Sequence, residues 1–282
     1  MTDKQFANQW HDATIRDNFV FGKTMELYPD LCRQLLEMIL DIKIKEITYP
    51  EREKTIEARI DGKGIRLDVY VEEKDTNRSF DVEIQISNSD NLAKRMRYYQ
   101  SLIDSDKLKR GQHYSCLGES FIIFICPFDI FKQGRHLYTF RERCDQDSFL
   151  ALDDGTTKIF LSTKGILDDV SPDIKAFLDY VDSGIVSGNF VKELANAVDN
   201  VKTNAKVRHD FMTFQMYLLE REMEATQKRS EEIALKMIRK GKSLEEIQEF
   251  TDLPAKRINE LAQVAEWQTD SGFVDYAVID CQ

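Results

Sequence analysis

The sequence predicts an α/β domain followed by an α-helical C-terminal region. Three observations carry that expectation. Apolar residues recur every second position in residues 66–72 and 80–86, the period of a strand. They recur at three and four in residues 30–41 and 90–105, on either side of that pair, the period of a helix. From about residue 172 onward the helical pattern dominates.

Taken in order, residues 1–13 read as a poorly committed leader. Leu27, Leu31, Leu35, Leu36, Ile39 and Leu40 predict an amphipathic helix over about 30–41, and Pro29-Asp30 suits its start. Residues 42–49 alternate, and read either as a first strand or as a passage from helix to strand. Glu57–Ile60 then precedes a turn at Asp61–Gly64. In the next arm Leu67, Val69 and Val71 share one face, and Arg66, Asp68, Tyr70 and Glu72 the other. In the arm after it Val82, Ile84 and Ile86 oppose Asp81, Glu83 and Gln85. The polar break 73–79 predicts a hairpin turn, which puts Asp68 and Glu83 on neighbouring strands with their side chains on one face.

Leu92, Met96, Tyr99, Leu102 and Ile103 mark the buried stripe of the following helix, with Lys94, Arg95 and Arg97 on or beside its other face. Residues 94–114 hold six basic and two acidic residues, a local excess that suits a nucleic-acid backbone. Phe121–Cys126 is apolar on both faces and predicts a central strand. Leu137–Phe140 and Lys158–Leu161 predict two more strands. Pro172–Val181 reads as a short helix. Residues 190 to about 227 read as largely helical, walling off the sheet or making a dimer contact. Val191, Leu194, Val198, Phe211, Phe214, Met216 and Leu218 are its candidates for burial.

The tail has its own pattern. Ser230–Lys240 is helical and ends at Gly241, a C-cap residue. Ser243-Leu-Glu-Glu246 is a capping box, and Asp252-Leu-Pro254 breaks and restarts the helix. This is a helix-turn-helix pattern with two readings. One is DNA binding by the helix from Pro254, through Lys256, Arg257 and Asn259. The other is a packing or dimerisation unit, consistent with six basic and eight acidic residues in 231–266.

Chemistry concentrates at the hairpin. Two carboxylates on one face of a rigid sheet suffice for Mg²⁺, which keeps several of its waters. Gln85 projects beside them and can orient a water or a phosphate, but it lacks the charge of a lysine. At these residues the chain resembles the PD-(D/E)XK nuclease superfamily, with its Asp on one strand and Glu-x-Lys on the next. It is most similar to the PD-(D/E)XK nuclease family transposases, or Rpn-type recombination-promoting nucleases, where Asp…Glu-x-Gln is common. Here the signature is Asp68…Glu83-Ile84-Gln85, with Leu67 in place of the proline. Asp17-Asn-Phe-Val-Phe-Gly-Lys23 and Arg97-Tyr-Tyr-Gln100 extend the resemblance, which covers about residues 14–145.

The resemblance implies a restriction-endonuclease-like core, a central mixed sheet flanked by helices, over residues 14–165. A helical extension at 166–228, a helix-turn-helix-like tail at 229–266 and a loose extension at 267–282 would follow. It implies a metal-dependent DNA endonuclease linked to transposition or recombination. Asp68, Glu83 and the Ile84 carbonyl would hold Mg²⁺ or Mn²⁺, with Gln85 placing the water. DNA would lie along Lys94, Arg97, Tyr98 and Gln100. Glu26 and Glu37 are candidates for the acid that the superfamily sometimes draws from its first helical region, beside a plain solvated role. The alternative is a weak or inactive nuclease fold that binds DNA or protein.

Composition narrows the field. The 282 residues carry a formal charge of -11, which argues against a surface coated for nucleic acid but not against a local basic cleft. Cys32, Cys116, Cys126, Cys144 and Cys281 lack paired ligand spacing and suit reduced thiols. His113, His136 and His209 have no metal-like partner nearby in sequence. A small-molecule enzyme finds little support, since there is no Gly-rich phosphate loop of the usual spacing and no Ser or Cys nucleophile in a recognisable setting. With no signal peptide and no membrane-length apolar run, the expected location is the cytoplasm.

Overall fold

The computed structural model describes residues 3–48, 51–56, 64–87 and 91–270. The chain divides into two compact units, Met1–Phe211 and Met212–Gln282.

The first unit is built on a mixed sheet of six strands among the described residues: β1 (Glu51–Ile56), β2 (Ile65–Glu72), β3 (Ser79–Ile84), β4 (Ser120–Cys126), β8 (Thr156–Ser162) and β5 (Leu137–Phe140), in that spatial order. β1, β2 and β3 pair antiparallel, β3 with β4 and β4 with β8 parallel, and β5 antiparallel with β8. A parallel neighbour needs a crossover, and α4 (Leu92–Lys107) supplies it between β3 and β4. Its Leu92, Met96 and Ile103 pack on Tyr70, Ile122, Phe124 and Phe160, closing one face of the sheet. The other face carries α2 (Asn18–Leu27), which packs across β1, β2 and β3, together with α3 (Pro29–Leu40), α5 (Pro172–Ser183) and α6 (Asn189–Thr203). β3 and β4 are therefore buried at every position, the expected state of strands covered on both sides.

Gly22 lets α2 lie close over β1 and β2. A Cβ there would sit 2.8 Å from Arg52 Cγ and 3.3 Å from the carbonyl oxygen of Asp68.

Several expectations need correction. Residues 3–12 form a helix, α1, not a leader. Phe6 and Trp10, one turn apart, are buried, and Trp10 packs 5.0 Å from Phe211 between ring centroids. Residues 42–48 form no strand, only an isolated bridge from Ile47 to Glu73. The first strand is β1, whose Glu-Arg-Glu-Lys-Thr-Ile shows no alternation because it is a polar sheet edge. The expected turn at 61–64 falls, except for Gly64, outside the described residues. A small hairpin, β6 (Arg143–Cys144) with β7 (Asp147–Ala151), is an addition.

The β2–β3 register rests on a buried knot. Glu73 at the end of β2 is 3% exposed. It accepts hydrogen bonds from the Lys45 amide at 2.9 Å, from Thr76 Oγ1 at 2.6 Å and from Arg78 Nε. Its own amide donates to the Arg78 carbonyl, closing the turn. Val69 thereby faces Val82 and Tyr70 faces Asp81, and one step further Asp68 faces Glu83.

The second unit holds most of α7 (Ala205–Arg239), then α8 (Leu244–Thr251) and α9 (Ala255–Asp270). The capping box is formed: Glu246 N donates to Ser243 Oγ, and Ser243 N donates to Glu246 Oε2. Gly241 has φ +68°, and the Lys242 amide reaches back to the Met237 carbonyl, which ends α7. Ala234, Ile247, Leu253, Ile258 and Leu261 form its core. Met216, expected to be buried, is half exposed, and Phe214 and Leu218 are intermediate. No helix among the described residues is long and apolar enough to cross a membrane.

Replacing Glu73 by Ala leaves Arg78 and the Lys45 amide without their acceptor. The expected loss is about 2–4 kcal/mol of unfolding free energy, measured by urea denaturation, with an Ala exchange at exposed Glu46 as the control that changes little.

Candidate active site

The alternation of β2 and β3 directs Asp68, Asp81 and Glu83 to the face that α4 covers. All three are buried, Asp81 completely. They border a cleft of about 730 Å³ whose lining includes Asn18, Asp68, Glu83, Gln85, Lys94 and Tyr98. Glu83 is the centre of its bonding. Its Oε2 accepts from Gln85 Nε2 at 2.9 Å and from Arg95 Nη2 at 2.9 Å. Its Oε1 is buried without a hydrogen-bond partner, as are both oxygens of Asp81 and Oδ1 of Asn18.

Arg95, read from sequence as on or beside the outer face of α4, is the residue that sequence reasoning left without a role. Its guanidinium lies 4.8 Å from the Phe124 ring centre and 5.4 Å from that of Tyr99, reaching inward to Glu83. The signal was in the spacing. Arg95 is three residues after Leu92 and four before Tyr99, so it borders the buried stripe. Lys94 lies at the cleft, whereas Arg97 is exposed on α4 and outside the lining. Tyr98 lines the cleft. Gln100 does not: it is buried and donates to Asp104 at 3.0 Å. Ile84 is the last residue of β3, its side chain buried. Glu26 pairs with Lys23 and Arg52, and Glu37 with Arg33 and the Ile44 amide, so both are engaged away from the cleft lining. The first helical region contributes Asn18 instead. Asp81 was legible as a face-mate of Glu83 but carried no assigned role. His136 is a packing residue, 3% exposed, with Nδ1 3.0 Å from Asp169.

The electrostatics follow from crowding acids in a dry place. Burial, and then the charge of Asp68, push Glu83 from its ordinary 4.5 up to about 8, with Arg95 pulling the other way. Asp81 is raised well above the usual carboxylate range by burial and by the charges of Glu83 and Asp68. Glu83 and Asp81 hold their protons because one guanidinium does not offset the crowding, and a divalent cation placed beside them would favour their ionised forms instead. Among the described residues no set of three or more His, Cys, Asp or Glu side chains could hold a metal by itself. The donor set present, Asp68 opposite a Glu83 whose Oε1 is unmatched, fits a hard cation that keeps waters.

For the metal-free protein the sign is fixed. A carboxyl raised in the folded state binds its proton there and loses it in the unfolded chain. The contribution of Glu83 to stability is therefore present at low pH and is lost as pH rises from about 4.5 to about 8. With chelator present, Glu83→Gln is expected to make that decline shallower in urea titrations across the window. An unchanged slope would remove Glu83 as its source.

The family model described as PD-(D/E)XK nuclease family transposase matches residues 19–160, half of the chain and most of the sheet that carries the cleft. No curated protein shows significant similarity. With the mixed sheet, its helical cover and the Asp68…Glu83-Ile84-Gln85 hairpin in place, the chain belongs to the PD-(D/E)XK nuclease family transposases.

Proposed function

We propose that the chain is a divalent-metal-dependent DNA endonuclease acting in transposition or recombination. The observation that carries this reading is the opposition of Asp68 and Glu83 at a cleft, with Glu83 Oε1 and both oxygens of the neighbouring Asp81 buried without a hydrogen-bond donor. Asp68, Glu83 and the Ile84 carbonyl are the groups that would hold Mg²⁺ or Mn²⁺. Such a cation supplies a Lewis acid for the phosphoryl oxygen and lowers the pKa of a bound water.

The chain's own residues do the rest. Gln85, anchored on Glu83 Oε2, orients the attacking water through its amide. Arg95 takes over the positive charge that the Glu-x-Gln signature lacks. Fixed beside Glu83 between two rings, it can donate to charge developing on the phosphoryl group without reorganising. Lys94 and Tyr98 at the cleft and Arg97 on the exposed side of α4 meet backbone phosphates, which position DNA without reading sequence. Gln100 supports α4 through Asp104 rather than touching DNA.

A second reading is favoured by the same Arg95–Glu83 pair. An internal guanidinium that already neutralises Glu83 suits a nuclease fold that binds DNA or protein without cutting. Plasmid nicking with Mg²⁺, with Mn²⁺ and with chelator separates the two. The endonuclease reading expects metal-dependent cleavage that Asp68→Ala and Glu83→Ala abolish. It expects Arg95→Met to slow cleavage about 10²–10³-fold. Absence of cleavage in every form, with DNA binding unchanged by the substitutions, favours the binding module.

A further inference from the structure

Within residues 212–270, α7 carries a surface that the nuclease cleft does not use. Residues 220–229 are helical and all exposed. A helical stretch of that length without packing is marginal in water. Met216, Leu219, Met223, Thr226, Ser230 and Ile233 are spaced by three and four in alternation, the period of a coiled-coil seam. Met216 is 50% exposed, Met223 62% and Ile233 38%. The middle of this seam, Leu219, Met223, Thr226 and Ser230, forms one wall of a groove of about 710 Å³, with Leu253 and Pro254 of the α8–α9 turn opposite. Glu222 and Arg229, seven residues apart, lie on the same edge of the seam. Neither makes an ion pair among the described residues.

We propose that this groove receives the α7 helix of a second copy of the chain, packed antiparallel. A two-fold axis near residues 224 and 225 sets Met216 against Ile233 of the second copy, Leu219 against Ser230 and Met223 against Thr226. The same axis sets Glu222 against Arg229, twice. The charges choose the direction. A parallel pair would place Glu222 beside Gln227 and Arg229 beside Ala234, with no opposite charges matched. The self-complementary pattern of one patch on both copies is that of an isologous dimer. The pairing uses α7 and the α8–α9 turn and is independent of the catalytic reading.

Sedimentation equilibrium of the intact chain at low salt tests it. The wild type is expected to dimerise. Glu222→Arg and Arg229→Glu each turn two attractions into two repulsions, and each is expected to weaken the dimer about tenfold. The double variant E222R/R229E recreates both attractions with reversed sign and is expected to return to within about twofold of wild type. A wild type that stays monomeric to about 100 μM overturns the proposal. So does a dimer that neither single variant weakens, or a double variant that fails to recover.

Discussion

Burying Glu83 beside Asp68 is the constraint to which the rest of the first unit answers. Carboxylates in a dry cleft repel, and burial favours their protonated forms. The fold holds them together all the same. The Glu73 knot closes the β2–β3 turn and sets the register. α4 crosses from β3 to β4 and lays Arg95 against Glu83. α2 approaches closely through Gly22 and brings Asn18 to the cleft. Three buried acids share one guanidinium, and Glu83 and Asp81 respond by holding their protons above the usual carboxylate range. That imbalance is costly in a protein that only had to fold, and it has a use in one that binds a cation.

The hairpin was legible because the family signature and the strand period fall on the same residues. Period two puts one row of side chains into the core and the other, acidic row under α4, so the motif and the strand are read from the same residues. β4 was legible for the opposite reason: buried on both faces, it shows a continuous apolar run. β1 was not, since an edge strand of charged residues has no period to detect. The helix at residues 3–12 was missed because its burial rests on two aromatic residues, Phe6 and Trp10, in a polar segment. Alternation was enough to put Asp68, Glu83 and Gln85 on one face, and all three line the cleft. Spacing put Arg95, unlike Arg97, at the border of the buried stripe, but that its guanidinium reaches Glu83 is a matter of side-chain course that spacing does not give. Gln100 looked available in the sequence and is turned into the packed side of α4.

The second unit follows a different logic. Its caps were readable residue by residue, because a capping box and a C-terminal glycine are local chemistry. The fate of the long α7 surface was not, because Met216 and Met223 look like core residues until their exposure is known. The overall charge of -11 and the basic run along α4 are compatible under the proposed reading, in which DNA meets one cleft rather than the whole surface.

The central claim is that the Asp68–Glu83 pair is a cation site. Calorimetric titration of the intact chain with Mn²⁺, above the pH of about 8 at which Glu83 loses its proton, tests it directly. The account predicts one binding event in the wild type, weakened at least about tenfold in both Asp68→Asn and Glu83→Gln. Equal binding by all three proteins, or none by the wild type, would contradict it.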